Sequence, residues 1–350
     1  MTIATTTHDT IRYYYGRVLG HSSQLKTDAC CSPDGLPRHL KAIIRELAPE
    51  IVERFYGCGS PIPPAIEGCT VLDLGCGTGR DAFICARLVG PRGRVIGVDM
   101  TPEQVQVARN HEARQAARFG HPRPNTRFVQ GFLEDLGEVG VDDESVDVVI
   151  SNCVINLTSD KERVFREIFR VLKPGGELYF SDIFADRRLP PEWREDPVLL
   201  GECLAGAMYV EDFRRLLLSL GIRDHRTVAR RAVSVGNDAV RERIGLARFE
   251  SLTIRVFKID GLEDRCEDFG QVATYRGTIP HAAHSFVLDD HHEFIAGKPM
   301  LICGNTATML AQTRYAPHFH VDGDRSRHFG PFPCGSAADA RPQTVDGGCC

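Results

Sequence analysis

Four cysteines stand where a thiol could do chemistry. Cys153 lies in SNCVINL, directly after the apolar run VDVVI, while Cys30, Cys58 and Cys203 lie in TDACC, YGCG and GECLAGA. The chain has 13 cysteines, an odd number, and MTIATTTHDT has none of the marks of an export signal, which argues against a secreted disulfide framework. No C-x₂-C pair supports a zinc ribbon. Thiols from distant positions instead suit a soft, thiophilic ligand or redox work.

A glycine-rich loop marks a candidate nucleotide site. In VLDLGCGTGR, Gly75, Gly77 and Gly79 let the backbone approach a ligand without a Cβ clash. Asp99 ends the next predicted strand, twenty residues past Gly79, where a carboxylate can accept both ribose hydroxyls. The spacing G-x-G-x-G differs from the G-x-G-x-x-G of dinucleotide-binding folds, which weakens an NAD interpretation.

Alternating strands and helices must position these residues. Apolar runs predict strands at 70–74, 94–99, 127–131, 146–151 and 177–183, helical patterns fill the intervals, and a helix at 210–221 and a strand at 252–259 finish the layer. Such β–α repeats predict a parallel sheet with helices on both faces. Because the carboxyl ends of parallel strands share one edge, we expect Cys153 at the same edge as the glycine loop.

The motifs resemble those of two nested families. Asp73, the glycines and Asp99 resemble motif I of the Rossmann-like S-adenosylmethionine-dependent methyltransferases. Within that superfamily the chain is similar to the arsenite methyltransferases over about residues 12–260, in YYYGRVLGHSSQLKTDACC, YGCG, LDLGCGTGRD, GVDMT, SNCVINL, VLKPGGELYFSDI and GECLAGA. The resemblance implies an enzyme of arsenic detoxification that methylates arsenite to methylarsenite and dimethylarsenite.

The resemblance also implies roles for the thiols. Cys153 and Cys203 would be the core arsenic ligands and Cys58 a third, while Cys30 or its neighbour Cys31 would serve the redox part. Methylation raises arsenic to the pentavalent state, and a pair of protein thiols could return it to the trivalent state by forming a disulfide. A thiol reductant, thioredoxin or glutathione, would then reset that disulfide.

The cofactor implied by the resemblance is S-adenosylmethionine. Asp73 would help to hold its methionine portion, Asp99 would take the ribose, and Gly131 with Phe132 would border the adenine. The residues expected around the cofactor are Asp73, Gly75, Cys76, Gly77, Gly79, Arg80, Asp99, Met100, Gly131, Phe132 and Asn152.

Four parts are expected along the chain. Residues 1–60 form a helical N-terminal lid carrying Cys30 and Cys58, and residues 61–260 form the Rossmann-like class I methyltransferase domain. Weaker strand signals predict a small C-terminal α+β domain at 261–330, and a composition low in bulky apolar residues predicts a flexible cysteine-containing tail at 331–350.

Composition limits the partners. A net charge of −5, with 42% apolar and 25% charged residues, argues against nucleic-acid binding, and no apolar stretch is long enough to cross a membrane. We therefore expect a cytoplasmic monomer whose partners are trivalent arsenic, or its thiol conjugates, and the reductant. Two alternatives stay open from the sequence. One is the same fold acting on an organic small molecule, and the other is a non-catalytic thiol-based metalloid-binding protein.

Overall fold

The computed structural model describes residues 36–55, 57, 61–201 and 203–333. Contacts between Cα atoms divide the chain after Asp260 into two compact units. The four-part division expected from the sequence stays a prediction, because most of the N-terminal lid and most of the tail lie outside the described residues.

The first unit is built on an eight-stranded sheet. Its strands are β1 (Thr70–Leu74), β2 (Arg94–Asp99), β3 (Thr126–Gln130), β4 (Val146–Asn152), β5 (Leu172–Ala185), β6 (Met208–Tyr209), β7 (Arg226–Ala232) and β8 (Phe249–Phe257). They follow the order β3-β2-β1-β4-β5-β8-β7, with β6 paired to β5. The predicted parallel sheet is confirmed for β1 to β5. It needs correction at one edge, where β8 returns between β5 and β7 and so runs antiparallel to both.

Helices cover the sheet, as the β–α alternation predicts. The described helices of this unit are α1 (Arg38–Arg45), α2 (Pro49–Glu53), α3 (Arg80–Val89), α4 (Pro102–Arg118), α5 (Lys161–Val171), α6 (Pro197–Gly201), α7 (Val210–Ser219) and α8 (Asp238–Ile244). The helical pattern HLKAIIRELAPEIVERF is divided between α1 and α2, because Pro49 cannot donate a hydrogen bond within a helix and starts a new one.

The core lies on both faces of the sheet. Leu72 and Leu74 of β1 pack into one apolar cluster, while Val71, on the opposite face, packs into another together with Val148 and Ile150 of β4. Because successive side chains of a strand point to opposite faces, this division shows that both faces are covered. Covered faces leave the strand ends as the place where polar groups meet a ligand.

The second unit is a small α+β domain, as expected. It contains β9 (Glu267–Asp268), β10 (Gln271–Tyr275), β11 (Ser285–Val287), β12 (Glu293–Ile295), β13 (Pro299–Ile302), α9 (Gly304–Ala311), β14 (Phe319–Asp322) and β15 (Gly330–Pro331). Strands β13, β10 and β14 form a sheet in that order. Aromatic rings fill the core, including Phe286 and Tyr315 with centroids 4.9 Å apart.

No helix in the described part of the chain combines the length and the apolar character that crossing a bilayer requires.

Candidate active site

A cavity opens at the carboxyl edge of the parallel strands. The space within it is about 990 Å³, part of which is open solvent. The predicted cofactor residues that line it are Asp73, Gly75, Cys76, Gly77, Arg80, Asp99, Met100, Gly131, Phe132 and Asn152. Gly79 is the exception, since it is the N-cap of α3, with φ of 88°, and its backbone lies against Phe128.

Asp73 gives the cavity an unmatched negative group. The side chain is buried at the end of β1, and its Oδ2 has no hydrogen-bond partner among the described residues. Burial, followed by repulsion from Asp81 and Asp99, raises the pKa of the Asp73 carboxyl well above its usual range. A positively charged ligand group would offset both effects. The amino group and the sulfonium of S-adenosylmethionine both have the charge that fits this site.

Asp99 is fixed by the backbone around it. Its Oδ2 accepts a hydrogen bond from the Gly77 amide at 2.9 Å, and its Oδ1 accepts one from the Thr101 amide at 2.8 Å. Each carboxylate oxygen can accept a further bond, so the group remains suited to ribose hydroxyls. The bond from Gly77 also ties the glycine loop to the end of β2.

Three hydrogen-bonded side chains, those of Arg80, Asp81 and Asn152, also line the cavity. The Asn152 side-chain amide donates to Asp81 at 2.9 Å, and the Arg80 guanidinium donates to the other oxygen of the same carboxylate at 3.0 Å. The guanidinium carbon also lies 3.7 Å from the centroid of the Phe55 ring. Phe55 and Asp81 line the cavity but were not among the residues predicted from the sequence. The D that follows GCGTGR could have indicated Asp81, whereas no local pattern points to Phe55.

The structure brings Cys153 and Cys203 together. Cys153 follows β4 and lines the cavity, and Cys203 follows α6. The Cys203 thiol donates to the Cys153 carbonyl oxygen at 3.4 Å, although the two residues are 50 positions apart in the chain. Both side chains are buried, with 3% and 0% of their surface exposed. Cys153 is disulfide-bonded.

Both cysteines have a backbone conformation that is unusual for their residue type. φ is 57° at Cys153 and 61° at Cys203, in the left-handed region. Among the described non-glycine residues, only Ala65, Glu144 and His281 share a positive φ. A left-handed non-glycine residue costs about 1–2 kcal/mol and persists only where its surroundings enforce it. Strain therefore coincides with the two predicted ligand residues.

The remaining predicted thiols cannot be placed. Cys30, Cys31 and Cys58 lie outside the described residues, so their redox and ligand roles stay predictions.

Comparisons with known proteins agree on one family. A methyltransferase domain model matches residues 66–221, and a model of the arsenite methyltransferase C-terminal domain matches residues 269–346. The family likeness therefore extends past residue 260, where the motifs quoted from the sequence end. An arsenite methyltransferase of Aquipseudomonas alcaligenes is 52% identical over 94% of each chain. The human arsenite methyltransferase is 38% identical over 89% of this chain and 82% of its own.

A solved structure matches most of the chain. The crystal structure of an arsenic(III) S-adenosylmethionine methyltransferase from Chlamydomonas reinhardtii matches with a TM-score of 0.82 and 50% identity. The match spans 85% of this chain and the whole of that one.

Proposed function

The chain belongs to the arsenite methyltransferase family, and we propose that it holds trivalent arsenic on the Cys153 and Cys203 thiols during methylation. The observation that carries this proposal is the 3.4 Å contact between Cys203 and Cys153 beside the cofactor cavity. Membership of an enzyme family decides against the non-catalytic alternative. It also favours arsenic over an organic substrate, because the relatives are arsenite methyltransferases.

The cavity residues have separate tasks in this proposal. S-adenosylmethionine supplies a methyl group that its sulfonium makes electrophilic. Asp73 pairs with a positive charge of the cofactor, and Asp99 accepts hydrogen bonds from its ribose. Phe132, which is 44% exposed at the cavity wall, offers a ring against the adenine. These contacts hold the cofactor at the edge of the sheet where Cys153 follows β4.

The thiols bring the nucleophile to that edge. Trivalent arsenic is pyramidal and keeps a lone pair, so sulfur ligands on one side leave the lone pair free on the other. Binding needs thiolates, whereas a free cysteine has a pKa of about 8.5. Arsenic held beside Cys153 reacts within a single complex, and this raises its effective concentration near the methyl donor. The lone pair would then attack the methyl carbon, the bond from that carbon to the sulfonium would break, and S-adenosylhomocysteine would leave as arsenic passes from +3 to +5.

A pair of thiols would then return arsenic to the trivalent state. Two thiols lose two electrons and two protons as they form a disulfide, and arsenic returns to +3. We assign this step to Cys30 together with the ligand cysteines, with Cys58 as third ligand for arsenite. The disulfide state of Cys153 supports a thiol that takes part in exchange. Thioredoxin or glutathione reduces the disulfide. The products are methylarsenite and dimethylarsenite, made for detoxification by a cytoplasmic monomer.

Serine substitutions test the assignment. We expect Cys153→Ser and Cys203→Ser to lose at least about a hundredfold in turnover of arsenite and of methylarsenite, because serine cannot replace a soft sulfur ligand. Cys30→Ser is expected to spare the methylarsenite step. Cys69→Ser is the matched control, since Cys69 directly precedes β1 and does not line the cavity. Arsenic speciation by chromatography measures each product. Full arsenite turnover by Cys153→Ser contradicts the proposal.

A further inference from the structure

Two buried polar residues, Asn156 and Asp182, are hydrogen-bonded to each other close to Cys153 in the fold. Asn156, in the 3₁₀ turn Ile155–Leu157, has 1% of its surface exposed, and Asp182 of β5 has none. The Asp182 carboxylate accepts from the Asn156 backbone amide at 3.1 Å and from its side-chain amide at 2.7 Å. The side-chain amide also donates to the Ile183 carbonyl at 2.6 Å. Together these bonds fix the turn that follows Cys153 onto the sheet.

The carbonyl of Asn156 is hydrogen-bonded and closely packed. The Lys161 ammonium donates to it at 3.2 Å, and to the Thr158 carbonyl at 3.4 Å. The backbone of Gly206 also lies close to this carbonyl. A Cβ on Gly206 would be 2.0 Å from the Asn156 oxygen and 2.8 Å from its carbonyl carbon. Gly206 does not have a left-handed φ, so space alone requires glycine there.

Gly206 belongs to the same compact loop as Cys203. The Cys203 amide donates to the Leu200 carbonyl at 3.1 Å, and the Ala207 amide donates to the Leu204 carbonyl at 3.1 Å. The amides of Leu204 and Ala205 both donate to the Leu199 carbonyl. Because these bonds join residues 203–207 to Leu199 and Leu200, a shift at Gly206 moves Cys203 as well.

We propose that Gly206, Asn156 and Asp182 are positioning residues that set the separation between the Cys153 and Cys203 sulfurs. This rests on the proposed function, in which both sulfurs bind one arsenic atom. Pyramidal arsenic needs its two sulfurs close together, whereas an ion that binds two sulfurs in a straight line, such as Hg²⁺, needs them far apart. The close approach of Gly206 to Asn156 therefore makes the site selective for trivalent arsenic over linear thiophilic ions.

Gly206→Ala is the direct variant. The new methyl group must push the Cys203 loop away from the turn that follows Cys153, since the Asn156 carbonyl is fixed. Gly236→Ala is the matched control, because a Cβ there meets nothing within 4 Å and φ is not left-handed. The single tryptophan, Trp193, packs against the apolar cluster that contains both thiols and serves as an internal fluorescence reporter.

The experiment titrates the reduced full-length proteins with phenylarsine oxide and with Hg²⁺, and records Trp193 fluorescence. The signal of this site is the saturable part that Cys203→Ser removes. We expect Gly206→Ala to weaken phenylarsine oxide binding by about tenfold or more, to weaken Hg²⁺ binding much less, and to keep S-adenosylmethionine affinity. Gly236→Ala should match the wild type. Should Gly206→Ala fail to fold, Asp182→Asn, which removes an acceptor of Asn156 without adding volume, should shift the ratio of the two affinities in the same direction.

Two results overturn the inference while the proposed function stands. They are unchanged phenylarsine oxide affinity in the position 206 variant, and an equal loss for both ligands, which marks a merely structural role. A full phenylarsine oxide response in Cys203→Ser instead overturns the proposed function, and the inference falls with it.

Discussion

The two ends of the cavity are built in opposite ways. The cofactor end comes from β1, the glycine loop and the end of β2, where Asp99 bonds to Gly77 across 22 residues. The thiol end joins Cys153 to Cys203 across 50 residues, and both have a strained backbone. Local sequence specifies the first end, whereas tertiary packing must enforce the second. Substitutions at the two ends should therefore affect different properties of the protein.

The largest effect is expected from Asp73→Asn at the cofactor end. The amide cannot pair with a cationic group, so S-adenosylmethionine affinity should fall by about a hundredfold. Wild-type affinity should also fall as the pH is lowered through the raised pKa of Asp73, because the protonated carboxyl has lost its charge. The variant should lack this dependence. Calorimetric titration across pH measures both effects, while phenylarsine oxide binding stays unchanged. A variant that weakens both ligands alike contradicts the division into two ends.

Gly75→Ala should affect both ends of the cavity, because Gly75 of the glycine loop lies against Val154 at the thiol end. Its φ is 70°, and a Cβ there would be 2.4 Å from both methyl carbons of Val154, the neighbour of Cys153. We expect a loss of about 2 kcal/mol in the free energy of unfolding, from strain and overpacking. Binding of both ligands should weaken.

Gly77→Ala is the comparison for that variant. It has a φ of 52° and open space around its Cβ, so it carries the strain without the contact. Gly77→Ala should weaken binding of S-adenosylmethionine and leave phenylarsine oxide binding unchanged. Denaturant unfolding and the two titrations separate these cases, and identical effects of the two alanines would contradict a coupling through Val154.

A pH dependence of stability is expected at the thiol end. Burial raises the pKa of Asp182 to about 7, against hydrogen bonds from Ile183 and Asn156. The folded protein then holds a proton that the unfolded chain releases near pH 4. The contribution of Asp182 to the free energy of unfolding is therefore complete below about pH 4. It is lost as the pH rises towards 7, by at most about 1.4 kcal/mol per pH unit. Asp182→Asn should remove this slope, as thermal unfolding from pH 4 to 8 would record. An unchanged slope contradicts the assignment.

Sequence patterns anticipated the fold better than the thiol end. Long apolar runs predict β1 to β5 because buried parallel strands need them. The strand RTVARRA was missed, since its exposed arginines hide its edge position. The glycine loop carries its own conformational signal, whereas nothing in a cysteine indicates a left-handed φ. The contact of Gly206 with Asn156 depends on packing between distant segments. Cys30 and Cys58 lie outside the described residues, so their placement stays a prediction.

Arsenic anomalous diffraction tests the central claim most directly. Crystals of the reduced protein soaked with methylarsenite should show an anomalous peak between the sulfurs of Cys153 and Cys203, beside the cofactor cavity. In Cys203→Ser crystals that peak should vanish. An occupied arsenic site elsewhere, with none between these two sulfurs, would contradict the account.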